Sequence, residues 1–379
     1  MALAVPKIAV LDSSTLGKVS RDYWSRDEAA KGKARAFLTA LMERGVFIAF
    51  TLTHVSELLR HDNGDIVRDR LRFLRCLRLI AWLRPYDRTW FPGSPVDLLT
   101  RELDTVVHHS ARSWREIIQR VRPGLWETGV GADLFVEDSR LWSAIQGEAK
   151  RQHEQEKYVA SVARTRPAGN NELRLCDLLE SPRRPAEKRA GYMKRFAEEM
   201  ERQLHRHGDK RLDHAGKIAS GFANNTLKRI QAIDALGGNP IQRLLETAGV
   251  PVELVGPETT VDEIGELAVY AQRLKSLGDK LNPPRDVHVR DIPPDTLPSY
   301  AVERRLALLQ NKADRISGSD LGDSYIAPLV LYADGIEVDK RTLHHLKSIR
   351  RADPSLANLM KPFFRSSDYL DVPQHFDHQ

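Results

Sequence analysis

Residues 7–15 read KIAVLDSST, and this stretch decides the fold. Lys7 to Leu11 is a compact apolar run, rich in β-formers, that stops at Asp12. A run without polar alternation belongs in the middle of a parallel sheet, covered on both faces. Working outward, Glu28 to Arg44 sets Ala30, Ala34, Phe37, Leu38, Leu41 and Met42 at helical spacing, and Gly45 ends that helix. Val46 to Phe50 gives a second buried strand. Thr53 is placed to cap a helix carrying Val55, Glu57, Leu58 and Leu59. Strand, helix, strand, helix is the opening of a parallel α/β sheet.

The pattern then changes. Ile66 to Leu83 predicts one further helix, with Val67, Leu71, Leu74 and Leu77 on one side and Arg68, Arg72 and Arg75 as a cationic stripe on another. From about Pro85 to Pro298 strand signals are rare. Helical segments fall at Leu98 to Arg120, Leu141 to Val162, Ala186 to His207, Lys217 to Leu236 and Val261 to Leu277, separated by breaks rich in Pro, Gly and Asn. The α/β pattern resumes at Asp320. There DSYIAPLVLYA predicts a helix, GIEV a short buried strand, and Asp339 the cap of a last helix from Lys340 to Arg351. FFRSSDYLDV, near the end, offers an edge strand. The expected architecture is therefore an α/β/α core with a central parallel sheet, interrupted by a large, mainly helical insertion. Its parts are 1–85, 86–314 and 315–379, the outer two forming the core.

Composition narrows the class. Among 379 residues, Lys and Arg number 58 and Asp and Glu 52, a net charge of +6 that favours an anionic partner. Hydrophobic residues make up 41%, enough for a sizeable core. No apolar run approaches the roughly 20 residues that cross a bilayer, so no membrane partner is expected. The first residues lack the pattern of a secretory signal, and Cys76 and Cys176 make neither a zinc motif nor a disulfide framework. A cytoplasmic location is the expectation.

Four acids stand at punctuated positions: Asp12 ends the first strand, Glu57 follows the second, Asp323 opens the late helix and Asp339 follows the late strand. In an open parallel sheet, ligands bind beyond the carboxyl ends of the strands. Gathering carboxylates there raises their pKa values unless a cation neutralises them. Mg²⁺ or Mn²⁺ suits such oxygen ligands and can activate a water for in-line attack on phosphorus. Asp320 is an auxiliary ligand or a helix cap, whereas Asp334 is read as stabilising the turn into the late strand.

VLDSST, THVSELL and SDLGDSYIAPLVLYADGIEVDKRT resemble the acidic motifs of PIN-domain nucleases. The resemblance covers roughly residues 5–85 and 315–365. It implies a small α/β/α fold and cleavage of single-stranded RNA, in preference to DNA, by an endonuclease using bound Mg²⁺ or Mn²⁺. It also implies that Asp12, Glu57, Asp323 and Asp339 hold the metal and carry catalysis. Many members place a hydroxyl residue before the last acid; here Glu-Val-Asp stands instead. By analogy with the family, a toxin-like or antiviral effector role follows, with the insertion docking a protein partner and a homo-oligomer left open.

Further basic residues are read as backbone contacts. Arg68, Arg72 and Arg75 follow Glu57 in sequence. Arg183, Arg184 and Lys188 head a segment to Lys217 with 11 Lys or Arg against six Asp or Glu. A solvated helix face explains that segment equally well. The pairs His108–His109 and His344–His345 lack zinc spacing. A non-catalytic scaffold binding nucleic acid or protein is the main rival reading. A phosphatase of the haloacid-dehalogenase type is disfavoured because LDSST lacks the second aspartate of that motif.

Overall fold

The computed structural model describes residues 6–87, 91–162, 173–180, 186–207, 213–235, 237, 239–311, 322 and 324–377. Its centre is a six-stranded sheet in the order β4-β3-β2-β1-β5-β6. The strands are β1 (Lys7–Val10), β2 (Val46–Phe50), β3 (Ile80–Leu83), β4 (Trp126–Gly129), β5 (Gly335–Glu337) and β6 (Phe363–Phe364). All neighbours are parallel except β3 and β4. The chain builds outward from β1 to β2 and β3, then returns to β1's other side with β5 and β6. That reversal makes the carboxyl ends of β1 and β5 a topological switch point, where an open sheet forms a crevice.

Alternate residues of the inner strands enter different cores, as period-two geometry requires. Ile8, Val10, Ala49, Ala81 and Ile336 pack with Leu98, Ile117, Val302, Leu306 and Leu346. Ala9, Leu11, Ile48, Phe50 and Ile80 pack instead with Leu16, Val19, Phe37, Leu41, Val55 and Phe73. The second core is covered by α1 (Ser13–Tyr23), α2 (Glu28–Glu43), α3 (Leu52–Leu59) and α4 (Gly64–Cys76). The result is the three-layer α/β/α arrangement, with a mostly parallel sheet.

Several expectations are corrected in detail. The single helix over 66–83 divides into α4 and β3, because IAWL is buried completely and an apolar run that short carries no periodicity. Thr51, not Thr53, caps α3: its side chain accepts the His54 N–H. The stretch after Asp323 is dominated by a 3-10 helix, Ala327–Leu331, with Pro328 near its start. Residues 126–129 add an antiparallel edge strand, and FFRSSDYLDV contributes β6 through its first two residues.

The chain forms two compact units. One comprises Met1–His153, Asp295–Gln310 and Ser319–Gln379; the other comprises Glu154–Pro294 and Asn311–Gly318. The sheet unit thus reaches beyond the boundaries at 85/86 and 314/315 that the sequence pattern suggested, because β4 and the helices Pro95–His109 and Trp114–Val121 complete one of its cores. In the second unit, Ala186–His207 and Ala215–Ala235 pack through Met200, Leu204, Ala215 and Ala219, and Phe196 stacks on Phe222. No helix among the described residues is long and apolar enough to cross a membrane.

Candidate functional site

At the switch point, β1 ends at Val10 and α1 starts at Ser13, leaving Asp12 in the turn between them. Asp12 caps α1, its Oδ1 accepting the Ser14 N–H at 2.6 Å. Such a cap contributes about 1 kcal/mol and leaves the other oxygen available. The Asp12 N–H points to the neighbouring strand, donating to Glu337 Oε2 at 3.3 Å. The other Glu337 oxygen accepts from the Thr15 hydroxyl at 3.0 Å. Glu337 is therefore held against the start of α1 from the end of β5.

Glu57 approaches from α3. Burial raises its pKa, and the charge of Asp12 raises it further, while the Ser13 hydroxyl and Arg60 oppose the shift. Burial also pushes Glu337 up to about 7, again with Asp12 adding to the rise and Thr15 and Lys18 opposing it. For Glu337 this corresponds to roughly 3 kcal/mol against the ionised form. The Ser13 hydroxyl is buried facing Glu57, near enough to favour its ionised form though without a hydrogen bond of ordinary geometry. The third layer of the site is backbone: a methyl group at Gly322 would fall 2.5 Å from Glu57 Oε1.

His54 ties the elements together. Its Nε2–H donates to the Leu11 carbonyl at 3.1 Å, and Nδ1 accepts from the Thr51 N–H at 3.2 Å and the Thr51 hydroxyl at 2.8 Å. A carbonyl can only accept, so this pattern fixes the neutral tautomer. Complete burial pushes the His54 pKa down to about 4. One side chain thereby links the end of β1, beside Asp12, to the helix carrying Glu57.

Of the acids expected from sequence, Asp12 and Glu57 come together here. Asp339 lies two residues beyond Glu337 and caps the Lys340–Ala352 helix, accepting the Thr342 N–H at 2.7 Å. Asp320 and Asp323 lie outside the described residues. Asp334 accepts the Ile8 N–H at 2.8 Å and pairs with Arg122 at 2.5 Å, the structural role expected of it. Among the described residues, no three His, Cys, Asp or Glu side chains stand close enough to hold an ion.

The arginine stripe carries partners of its own. Arg68 pairs with Asp65 at 3.1 Å, Arg72 with Asp69 at 3.7 Å and Arg75 with Glu137 at 3.1 Å; Arg72 also lies over Trp24. Arg183, Arg184 and the side chain of Lys188 lie outside the described residues.

Glu337, His54 and Gly322 were not singled out by sequence. For Glu337 a signal was present: it is an acid between Ile336 and Val338, both buried, at the end of a central strand. No family model, curated protein or solved structure matches this chain.

Proposed function

We propose that the chain is a divalent-metal-dependent nuclease of PIN-like type, acting on single-stranded RNA in preference to DNA. The observation that carries this reading is Asp12 at the switch point of a doubly wound sheet, with Glu337 held against its backbone and Glu57 near enough for the charge of Asp12 to act on it. As they stand, the three are not close enough together to share an ion. The donor types suit Mg²⁺ or Mn²⁺: hard carboxylate oxygens, with Glu57 and Glu337 raised in pKa by burial and by the charge of Asp12. On this reading Asp12, Glu57 and Glu337 would close on the ion as it binds, and Asp320 and Asp323 are proposed as further ligands. Asp339 fixes the neighbouring helix. Bound metal supplies Lewis-acid stabilisation of a phosphoryl group and an acidified water.

The residues themselves perform three tasks. Asp12 presents one oxygen to the crevice while its other oxygen and backbone anchor it to α1 and β5. Thr15 orients Glu337. His54, neutral throughout the physiological range, keeps β1 and α3 in register without adding charge.

Cleavage of labelled single-stranded RNA, single-stranded DNA and duplex DNA, each with Mn²⁺, Mg²⁺ or EDTA, tests the proposal. Metal-dependent cutting of RNA that disappears in Asp12→Asn, with the variant still folded, is the expected result. Cutting that persists equally in EDTA, or in Asp12→Asn, would refute it.

A further inference from the structure

The backbone at Gly322 lies against Glu57, and the start of that segment is held by the Pro298–Asn311 helix. Gln310, in the last turn of the helix, is 7% exposed, and its amide forms a reciprocal pair with the Ser324 hydroxyl. Gln310 Nε2 donates to Ser324 Oγ at 3.0 Å, and that hydroxyl donates to Gln310 Oε1 at 3.2 Å. At the other end of the same helix, the Ser299 N–H and hydroxyl donate to the Glu102 carboxyl at 3.1 and 2.6 Å. Tyr332 donates to that carboxyl at 2.5 Å. Between the two ties, Val302 and Leu306 share a core with Ile326, Ala327 and Val330.

The lengths agree. From Ser299 to Gln310 the helix rises roughly 16 Å. From Ser324 to Tyr332 the chain advances roughly 15 Å, its later residues being 3-10. The two segments therefore run antiparallel, tied by polar side chains at both ends. Apolar contact alone tolerates sliding, whereas hydrogen bonds fix distance and direction. An amide buried as Gln310 is costs stability unless it is bonded, so its place here is explained by what it holds. The two ties act at different points. The Glu102 tie fixes the approach to β5, which carries Glu337. The Gln310 tie acts two residues from Gly322, where a displaced turn would change the room left to the Glu57 carboxylate.

We propose that Gln310 is a positioning residue: through Ser324 it holds the Gly322 turn against Glu57. Its effect on metal binding rests on the nuclease reading. The placement of the turn does not, and it can be measured on metal-free protein.

The test is hydrogen exchange of metal-free wild type, Gln310→Leu, Gln310→Glu and Ser324→Ala, with calorimetric titration of Mn²⁺ into the same samples. Leu fills the space without donor or acceptor, whereas a protonated Glu supplies both. Loss of one net hydrogen bond corresponds to about fivefold in local opening. Amides of residues 324–333 should exchange faster by about that factor in Gln310→Leu and Ser324→Ala, with those of β1 and β2 unchanged. Gln310→Glu should match wild type at pH 5, where a buried carboxyl keeps its proton. Mn²⁺ affinity should fall by a similar factor in Gln310→Leu and Ser324→Ala. A wild type that binds no Mn²⁺, while exchange at 324–333 still depends on Gln310, removes the nuclease reading and leaves the positioning role. A wild type that binds Mn²⁺ no better than Gln310→Leu does overturns the role and leaves the nuclease. Unchanged exchange at 324–333 in Gln310→Leu, or faster exchange spread evenly into β1 and β2, also overturns it.

Discussion

Gly322 shows how narrowly single positions constrain the site. A Cβ there collides with Glu57 Oε1, the end of a flexible side chain, and with little else. Gly322→Ala should therefore leave thermal stability within a few degrees, since the carboxyl can swing aside, yet weaken Mn²⁺ binding about tenfold. Calorimetric titration and a melting curve on the same sample check both halves. Glu337 gives the complementary case. Its ionised form is disfavoured by burial and by Asp12, so Glu337→Gln should raise the melting temperature of metal-free protein at pH 8 while lowering metal affinity. Paired melts of variant and wild type, with and without Mn²⁺, read this directly. Asp12 and Glu57 were legible in sequence because each follows a strand at a turn or helix start. Glu337 was not: the acid two residues later, Asp339, occupies the more conspicuous capping position.

Among elements, two buried groups set opposing pH dependences. Glu102, on the Pro95–His109 helix, accepts from the Ser299 N–H and hydroxyl and from Tyr332, and burial pushes its pKa up to about 8. The folded state thus keeps a proton that the unfolded chain releases above about 4.5. Stability from Glu102 is complete below that pH and falls by about 1.4 kcal/mol per pH unit as pH rises towards 8. His54 works the other way. Its pKa falls to about 4, so its contribution is complete above 6.5 and is lost as pH drops from 6.5 to 4. Glu337, with its pKa up to about 7, and Glu57, also raised, add to the decline above about 4.5, so His54 offsets only part of it below 6.5, and Glu102 extends it to about 8. Denaturant unfolding across pH 4 to 9 should show stability falling as pH rises through this range, and Glu102→Gln should flatten the alkaline side. A Glu102→Gln variant with an unchanged alkaline decline would exclude this origin. The element boundaries themselves were legible where periodicity ran long: α2, β2 and the Lys340–Ala352 helix sit close to where hydrophobic spacing placed them. β3 and β4 were hidden, being only four residues each, one apolar throughout and the other a partly exposed edge.

Across the whole molecule, the sheet joins the two ends of the sequence. Ala9 and Val10 pair with Gly335 and Ile336, so β1 is an inner strand only when the C-terminal segment is present. A chain truncated before Gly335 should lose cooperative unfolding, which circular dichroism and limited proteolysis would detect. The split arrangement was legible because α/β patterning returns after Asp320. The extent of the second unit was not, because helices that cover a sheet and helices that pack on one another share the same 3.6-residue periodicity. The central claim is that metal is held by carboxylates converging from β1, α3 and β5. Calorimetric titration of Mn²⁺ into wild type, Glu337→Gln and Asp339→Asn tests it most directly. The account predicts that wild type binds, that Glu337→Gln binds at least tenfold more weakly, and that Asp339→Asn changes mainly stability. Equal binding by wild type and Glu337→Gln, or no binding by wild type, would contradict it.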